Sequence, residues 1–307
     1  MRGFLHGPGR TGRRAGGLAV AAACLVATWL ATVSPGVDAD DGRNHDVWAI
    51  DQSDTSPDGG GTLYVYPGDQ LAGQDVSAAA PEVVDLGGAA GTMCLDLTGS
   101  VPRRPHMLTF DPGHRRAIVS FVATGHVLFL DAESRAPVGC VDVGLQAHAA
   151  FPTPDGRSVI VANQNGRLLQ RIATDYFGNS FILDGAATLD LANCTTPSGA
   201  PCQDPSLRPD NAPICPVIDA SGRFTFVTLR GGGLFVVDSS ATPMRIVAEY
   251  DREPVHPNGC GGVEAAGKMY VNSGGGTPAN PVESDLYAFP MSGFSTAPSP
   301  PNTPAPR

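Results

Sequence analysis

Short runs rich in β-branched and aromatic residues recur along the chain from residue 46, and Gly, Pro or Asp bounds most of them. One pattern occupies residues 104–121 and occurs again 42 residues later at 146–163. It consists of an apolar run, a turn and a second run rich in β-branched residues. Related patterns follow at 212–229 and 258–273. Runs of this composition, bounded by turn-forming residues, predict β-strands.

Each repeat continues with further strands. The strands predicted from residue 46 onward fall into groups of three, four, four, four and three. Several are apolar at consecutive positions, so both faces of each sheet must be buried. Repeats of about 40–45 residues with four strands are typical of propeller blades that stack around an axis. The pattern therefore predicts an all-β fold, a β-propeller of four-stranded antiparallel blades, of which about five are visible.

Three stretches carry a resemblance to a known family: "DPGHRRAIVSFVATGHVLFLDA", "PTPDGRSVIVAN" and "DASGRFTFVTLRGGGLFVVD". They resemble the secreted YVTN-type propellers of the lactonase-like superfamily, which also includes selenium-binding and nitrite-reductase propellers. The resemblance covers residues 46–291 and implies a ring of seven blades. Two arrangements stay open: a closed five-bladed ring whose ends share blades, or a truncated ring about two blades short, which we favour. Residues 292–307 are rich in Pro and Ser, a composition that predicts a disordered tail.

The first 39 residues have the features of a secretory signal peptide. They contain four arginines, an apolar stretch at 18–33 and a Val-x-Ala cleavage site. Residues 40–291 then form the propeller domain of a secreted or periplasmic protein, with no stable membrane insertion after cleavage. Two alternatives stay open, namely twin-arginine export through Arg13-Arg14 and a retained membrane helix.

Charge and cysteine content narrow the class of protein further. Without the signal peptide the chain has 16 basic and 29 acidic side chains, a net charge of −13 that disfavours nucleic acid and anionic membranes as partners. Six cysteines remain, an even number that predicts disulfides in an oxidising compartment. Cys194 and Cys202 share one loop and are the expected pair, whereas the pairing of the other four stays open.

Three histidines are the candidate metal ligands. His106 and His148 occupy equivalent positions in successive repeats, and His256 lies three residues before the corresponding position of a later one. Because first strands line the channel of a propeller, these imidazoles are expected to face one another and to bind copper or zinc. Cys215 and Cys260 fall on equivalent first-strand positions and could join such a site. The resemblance to selenium-binding proteins also implies a histidine-bound copper. In the competing interpretation, the histidines cap strands and have a structural role.

Three functions follow from these features. The first is a binding or scaffold propeller that recognises a small molecule or a protein partner at the channel mouth. The second is a copper-binding oxidoreductase, and the third is a lactonase-like hydrolase that holds calcium through oxygens of Asn163, Asp210, Asn211 and Asn258. Those four residues are equally typical of turns. No catalytic sequence motif decides whether the protein is an enzyme.

Overall fold

The computed structural model describes residues 45–72, 75–274 and 284–306. The predicted signal peptide, residues 1–39, lies outside them. No helix in these three ranges is both long and apolar enough to cross a bilayer.

Five antiparallel sheets follow one another in chain order, and within each sheet every strand pairs with its neighbours in the sequence. The sheets contain three, four, four, four and three strands, as the sequence predicts. We number them blades 1 to 5. Their strands are β1 (Val47–Asp51), β2 (Thr62–Tyr66) and β3 (Glu82–Asp85); β4 (Pro105–Phe110), β5 (Arg116–Phe121), β6 (His126–Asp131) and β7 (Pro137–Asp142); β8 (Ala147–Pro152), β9 (Ser158–Asn163), β10 (Leu168–Asp175) and β11 (Ser180–Asp190); β12 (Pro213–Ile218), β13 (Phe224–Leu229), β14 (Leu234–Asp238) and β15 (Arg245–Tyr250); and β16 (Gly262–Ala265), β17 (Lys268–Asn272) and β18 (Leu286–Pro290).

The core lies between consecutive blades. Adjacent residues of one strand face opposite neighbours: Val119 packs towards blade 1 with Leu63, whereas Ile118 packs towards blade 3 with Val159. Equivalent apolar layers join blade 3 to blade 4 and blade 4 to blade 5. This arrangement explains the consecutive apolar positions in the sequence, because sheets stacked face to face bury both faces. The architecture is that of a β-propeller.

Blades 1 and 5 each have a face that exposes apolar side chains. Among the described residues, no apolar core cluster joins blade 5 to blade 1. Cross-strand pairing places Val83 opposite Tyr64 on the free face of blade 1, and Val263 opposite Tyr270 on the free face of blade 5. Val83 is 62% exposed and Val263 is 61% exposed. These two side chains face solvent in the described part of the chain; the choice between a closed and a truncated ring stays open.

Blade 1 differs from the others in the direction of its inner strand. Trp48 at the start of β1 packs at 5.0 Å against Phe110 at the end of β4, and Gln52, just after β1, hydrogen-bonds His106 at the start of β4. The strand β1 thus runs opposite to β4, whereas β4, β8 and β12 run in one direction. Blade 1 contains the second to fourth strands of a blade, and blade 5 contains the first to third.

The described residues contain three disulfides: Cys94–Cys140, Cys194–Cys202 and Cys215–Cys260. The pairing of Cys194 with Cys202 confirms the expectation from sequence. Cys94 lies in a helix that the sequence analysis did not predict, α2 (Ala89–Thr98), which follows the single-turn helix α1 (Gly68–Leu71). Disulfides in this number are typical of proteins that leave the reducing cytosol.

The C-terminal segment corrects one expectation. We predicted that residues 292–307 are disordered, but residues 294–306 pack along blade 4. The backbone N–H groups of Ser299 and Asn302 donate to the carbonyls of Val247 and Glu249 on β15 at 2.9 and 2.8 Å, and Phe294 is buried against Phe226. Prolines are tolerated at a sheet edge, where their missing N–H faces away from the ladder. The pairing uses the non-proline residues between them.

Candidate functional site

The inner strands of blades 2 to 5 bring four side chains together, which we call the channel cluster: His106, His148, Cys215 and Cys260. His106 and His148 are the second residues of β4 and β8, and Cys215 is the third residue of β12. Cys260 lies two residues before β16. The sequence repeat therefore places His106 and His148 at equivalent positions of adjacent blades, whereas Cys215 lies one position further along its strand.

His148 is the best-defined group of the cluster. Its Nδ1–H donates to the carbonyl of Ile214 at 2.9 Å, so Nε2 keeps its lone pair. Burial and, secondly, the neighbouring imidazole of His106 lower the pKa of His148 to about 4. The ring is consequently neutral at pH 7, which is the form that binds metals.

His106 lies directly beside this ring. The two imidazole centroids are 4.5 Å apart with an interplanar angle of 63°. The side-chain amide N–H of Gln52 donates to Nδ1 of His106 at 2.5 Å. Burial, followed by the charge of Arg104, lowers the pKa of His106. Nδ1 of His106 therefore accepts a hydrogen bond, whereas Nδ1 of His148 donates one.

Cys215 and Cys260 complete the cluster. A ligand atom of His148 and the two Sγ atoms all lie within 4.8 Å of one another, the only group of three or more candidate metal-ligating side chains found in residues 45–72, 75–274 and 284–306. The two sulfurs are joined in a disulfide. Cys215 is fully buried, whereas Cys260 borders a cavity of about 300 Å³ lined also by Phe151 and Val217. With the disulfide closed, the available donors are the two imidazoles.

His256 does not share these contacts. Its Nδ1 lies 2.6 Å from Oδ2 of Asp285, and its backbone N–H donates to the hydroxyl of Tyr287. Of the three predicted ligands, His106 and His148 lie side by side, whereas His256 hydrogen-bonds Asp285 just before β18; their role as metal ligands stays a prediction. The loop that holds His256 is outside the repeated strand pattern, so strand register did not fix its position.

Three of the four side chains considered for calcium have local partners, although Oδ1 of the buried Asn211 itself has no hydrogen-bond partner. Asn163 is buried and donates to the carbonyl of Val143 at 2.6 Å, and Asn211 donates to the carbonyl of Leu191. Asp210 pairs with Arg230 at 2.5 Å. These contacts are those expected of side chains that brace turns.

Sequence reasoning missed two contributors to the channel cluster. Gln52 follows a strand of blade 1, and only the reversed direction of β1 places it beside His106. The second contributor is the backbone carbonyl of Ile214, which a search for polar side chains does not find. The position of Ile214, however, was visible in the repeat, where it takes the place of the histidine.

Comparisons with known proteins give fold-level similarity only. No family model and no curated protein matches the chain. Among solved structures, it is similar to the Swd1 β-propeller domain of Myceliophteria thermophila, with 10% identity, a TM-score of 0.48, and coverage of 74% of this chain and 62% of that one.

Two further solved structures are similar. For a functionally unknown protein from Desulfotomaculum acetoxidans, identity is 11% and the TM-score 0.47, with 81% of this chain and 66% of that one covered. For a candidate 6-phosphogluconolactonase from Bacteroides fragilis, identity is 9% and the TM-score 0.49, with 81% and 65% covered. The chain spans less than two thirds of each of the three structures. At these identities and scores, none of them bears on what this chain binds or catalyses.

Proposed function

We propose that the protein is an exported β-propeller that binds one copper ion in its central channel, with His106 and His148 as nitrogen ligands. The observation that carries the proposal is the 4.5 Å separation of the two rings, together with the free Nε2 of His148. Imidazole nitrogens suit copper, and a neutral ring binds it without first losing a proton.

The surroundings of His148 support a ligand role. A histidine that binds a metal usually donates its other ring N–H to a carbonyl or carboxylate, which fixes the tautomer and the ring orientation. Ile214 supplies such a carbonyl from the next blade. A strand-capping histidine would need the same hydrogen bond but not a second imidazole beside it.

Two protein nitrogens leave coordination positions of the ion open. A small molecule in the channel could fill them, as water or substrate does at metal sites with open positions. Such a ligand on the copper ion would account for the small-molecule binding that is expected of a propeller channel. Bound copper would supply Lewis-acid or one-electron chemistry to such a ligand, and the protein would orient it.

Copper binding by the oxidised protein tests the proposal. Protein freed of metal with a chelator is titrated with Cu(II) by calorimetry, and electron paramagnetic resonance counts the coupled nitrogens. We expect one ion per chain, at least tenfold weaker binding after His106→Ala or His148→Ala, and loss of the site in the double variant.

Two single variants serve as controls. His114→Ala removes an exposed histidine from a turn of blade 2, and His256→Ala removes the imidazole paired with Asp285; neither should change binding. Binding by the His106→Ala/His148→Ala protein that equals the wild type would refute the proposal.

A further inference from the structure

The Cys215–Cys260 disulfide lies against the proposed copper ligands and is the feature that carries the inference. We propose that this disulfide is a reducible gate: when it opens, the two thiolates join His148 in a copper(I) site, and when it closes, the sulfur ligands are withdrawn. The inference rests on the proposed function for the position of the metal. It adds the oxidation state of the copper, two sulfur ligands and control of binding by the redox state of the disulfide.

The distances suit one ion. The two Sγ atoms and the nearest imidazole nitrogen of His148 span at most 4.8 Å. Three ligands around a metal at bond lengths of about 2.3 Å lie about 4 Å apart, so after reduction the two sulfurs would have to separate from bonding distance by rotation of the cysteine side chains. Thiolates are soft ligands that favour copper(I) over harder ions. Opening the disulfide would therefore change which ion the channel prefers.

The protein holds the two cysteines together by a second means. The backbone N–H of Cys215 donates to Oγ1 of Thr228 at 3.2 Å, and that hydroxyl donates to the carbonyl of Gly259, the residue before Cys260. Thr228 lies on β13 and is buried. Because these hydrogen bonds do not involve sulfur, they persist when the disulfide is reduced. The thiols stay where a metal can bind both, and little ordering is required.

Apolar side chains surround the sulfurs. Cys215 belongs to a buried cluster with Ala149 and Ile214, against which Met107 and Phe151 pack. Such surroundings limit access of water, and water exclusion favours a soft, weakly hydrated ion. Met107 adds a thioether sulfur to the same cluster, a further ligand type that suits copper(I).

Access to the disulfide is one-sided. Cys260 is partly exposed at its cavity, whereas Cys215 is fully buried. A thiolate of an external dithiol therefore attacks Sγ of Cys260, forms a mixed disulfide and expels the thiolate of Cys215. The second thiol of the reductant then displaces Cys260. The dithiol is oxidised to a disulfide, its two electrons and two protons pass to the cysteines, and binding of copper(I) releases both protons to solvent.

Copper(I) affinity in the two redox states tests the gate. Protein is reduced with dithiothreitol, desalted without oxygen and titrated with copper(I) against a chromogenic chelator, in parallel with the oxidised protein. We expect reduction to raise the affinity at least a hundredfold. We expect Cys215→Ser/Cys260→Ser to remain at the level of the oxidised protein, and Cys194→Ser/Cys202→Ser, the matched control, to behave as the wild type. Cobalt(II) in the reduced wild type should give a thiolate charge-transfer band.

The outcomes separate the two proposals. Equal copper(I) binding by the reduced wild type and by Cys215→Ser/Cys260→Ser, with loss in His148→Ala, overturns the gate and leaves the histidine site. Absence of copper binding in both redox states overturns both.

A variant that keeps both cysteines covers the case in which the double serine variant does not fold. Thr228→Val preserves the disulfide and should lower copper(I) affinity about tenfold in the reduced protein alone. Wild-type affinity in Thr228→Val, together with no cobalt–thiolate band in the reduced wild type, would also overturn the gate.

Discussion

The Nδ1–H of His148 donates to the carbonyl of Ile214, the residue at the same position of the next blade. One imidazole therefore ties the inner strands β8 and β12, while its other nitrogen carries no proton in the neutral ring. This arrangement makes His148 sensitive to acid, because protonation would place a charge in a largely buried position.

The first prediction concerns acid stability. The pKa of His148 is about 4 in the folded protein and about 6.5 in an unfolded chain. Between these values unfolding takes up a proton, so the free energy of unfolding falls as the pH drops from 6.5 towards 4 and is independent of this group above 6.5. We expect a loss of about 1–3 kcal/mol, since one pKa unit corresponds to about 1.4 kcal/mol.

Urea denaturation of metal-free protein at several pH values measures this loss. His148→Asn retains an N–H donor for Ile214 but does not titrate, so its stability should fall less steeply. A smaller dependence remains because burial also lowers the pKa values of His106 and His126. The same slope in His148→Asn and in wild type would contradict the prediction.

The second prediction compares two disulfides. Cys94–Cys140 closes a separation of 46 residues and Cys194–Cys202 one of 8. The chain-entropy model assigns about 4 kcal/mol to the longer loop and about 2.5 kcal/mol to the shorter one. Cys94→Ala/Cys140→Ala should therefore lower the free energy of unfolding more than Cys194→Ala/Cys202→Ala, as measured in urea under oxidising conditions. An equal or reversed order would contradict the loop-closure argument.

The third prediction concerns the C-terminal segment. Phe294 packs between Phe224 and Phe226, so Phe294→Ala should cost about 3 kcal/mol, within the usual range for a buried aromatic ring. Tyr250→Phe removes only the hydrogen bond to the carbonyl of Pro304 and should cost about 1 kcal/mol. Thermal unfolding of both variants measures the difference. Wild-type stability in Phe294→Ala would mean that residues 294–306 do not pack in solution.

The fourth prediction concerns self-association. The free faces of blades 1 and 5 expose apolar side chains, and such patches promote association. We expect the wild-type protein to self-associate in size-exclusion chromatography with light scattering, and Val263→Lys/Leu286→Lys to shift it towards the monomer. Phe177→Lys, at a residue 92% exposed on blade 3, is the control for charge alone. A monomeric wild type at high concentration would exclude association through these faces.

Much of the fold follows from the sequence because the strands repeat. Register within the repeat places His106 beside His148 and Ile214 in the next position, without knowledge of long-range contacts. The pairing of Cys194 with Cys202 is similarly local.

The remaining features depend on contacts between distant segments. The helix α2 has no side-chain cap at its N-terminus, so the usual start signal is missing. The position of His256 depends on Asp285, which lies beyond two intervening strands. The reversed direction of β1 and the pairing of the Pro-rich tail with β15 are set by packing, which periodicity does not record.

The exposed faces of blades 1 and 5 bear on how a reductant could reach the proposed copper ligands. In a closed propeller, other molecules can reach the central channel only through its two narrow ends. Here no described blade covers the exposed faces of blades 1 and 5, and Cys260 belongs to blade 5. A reductant as large as a folded oxidoreductase domain could then approach the sulfur of Cys260 from the side. In a closed ring, only small thiols could reach this sulfur.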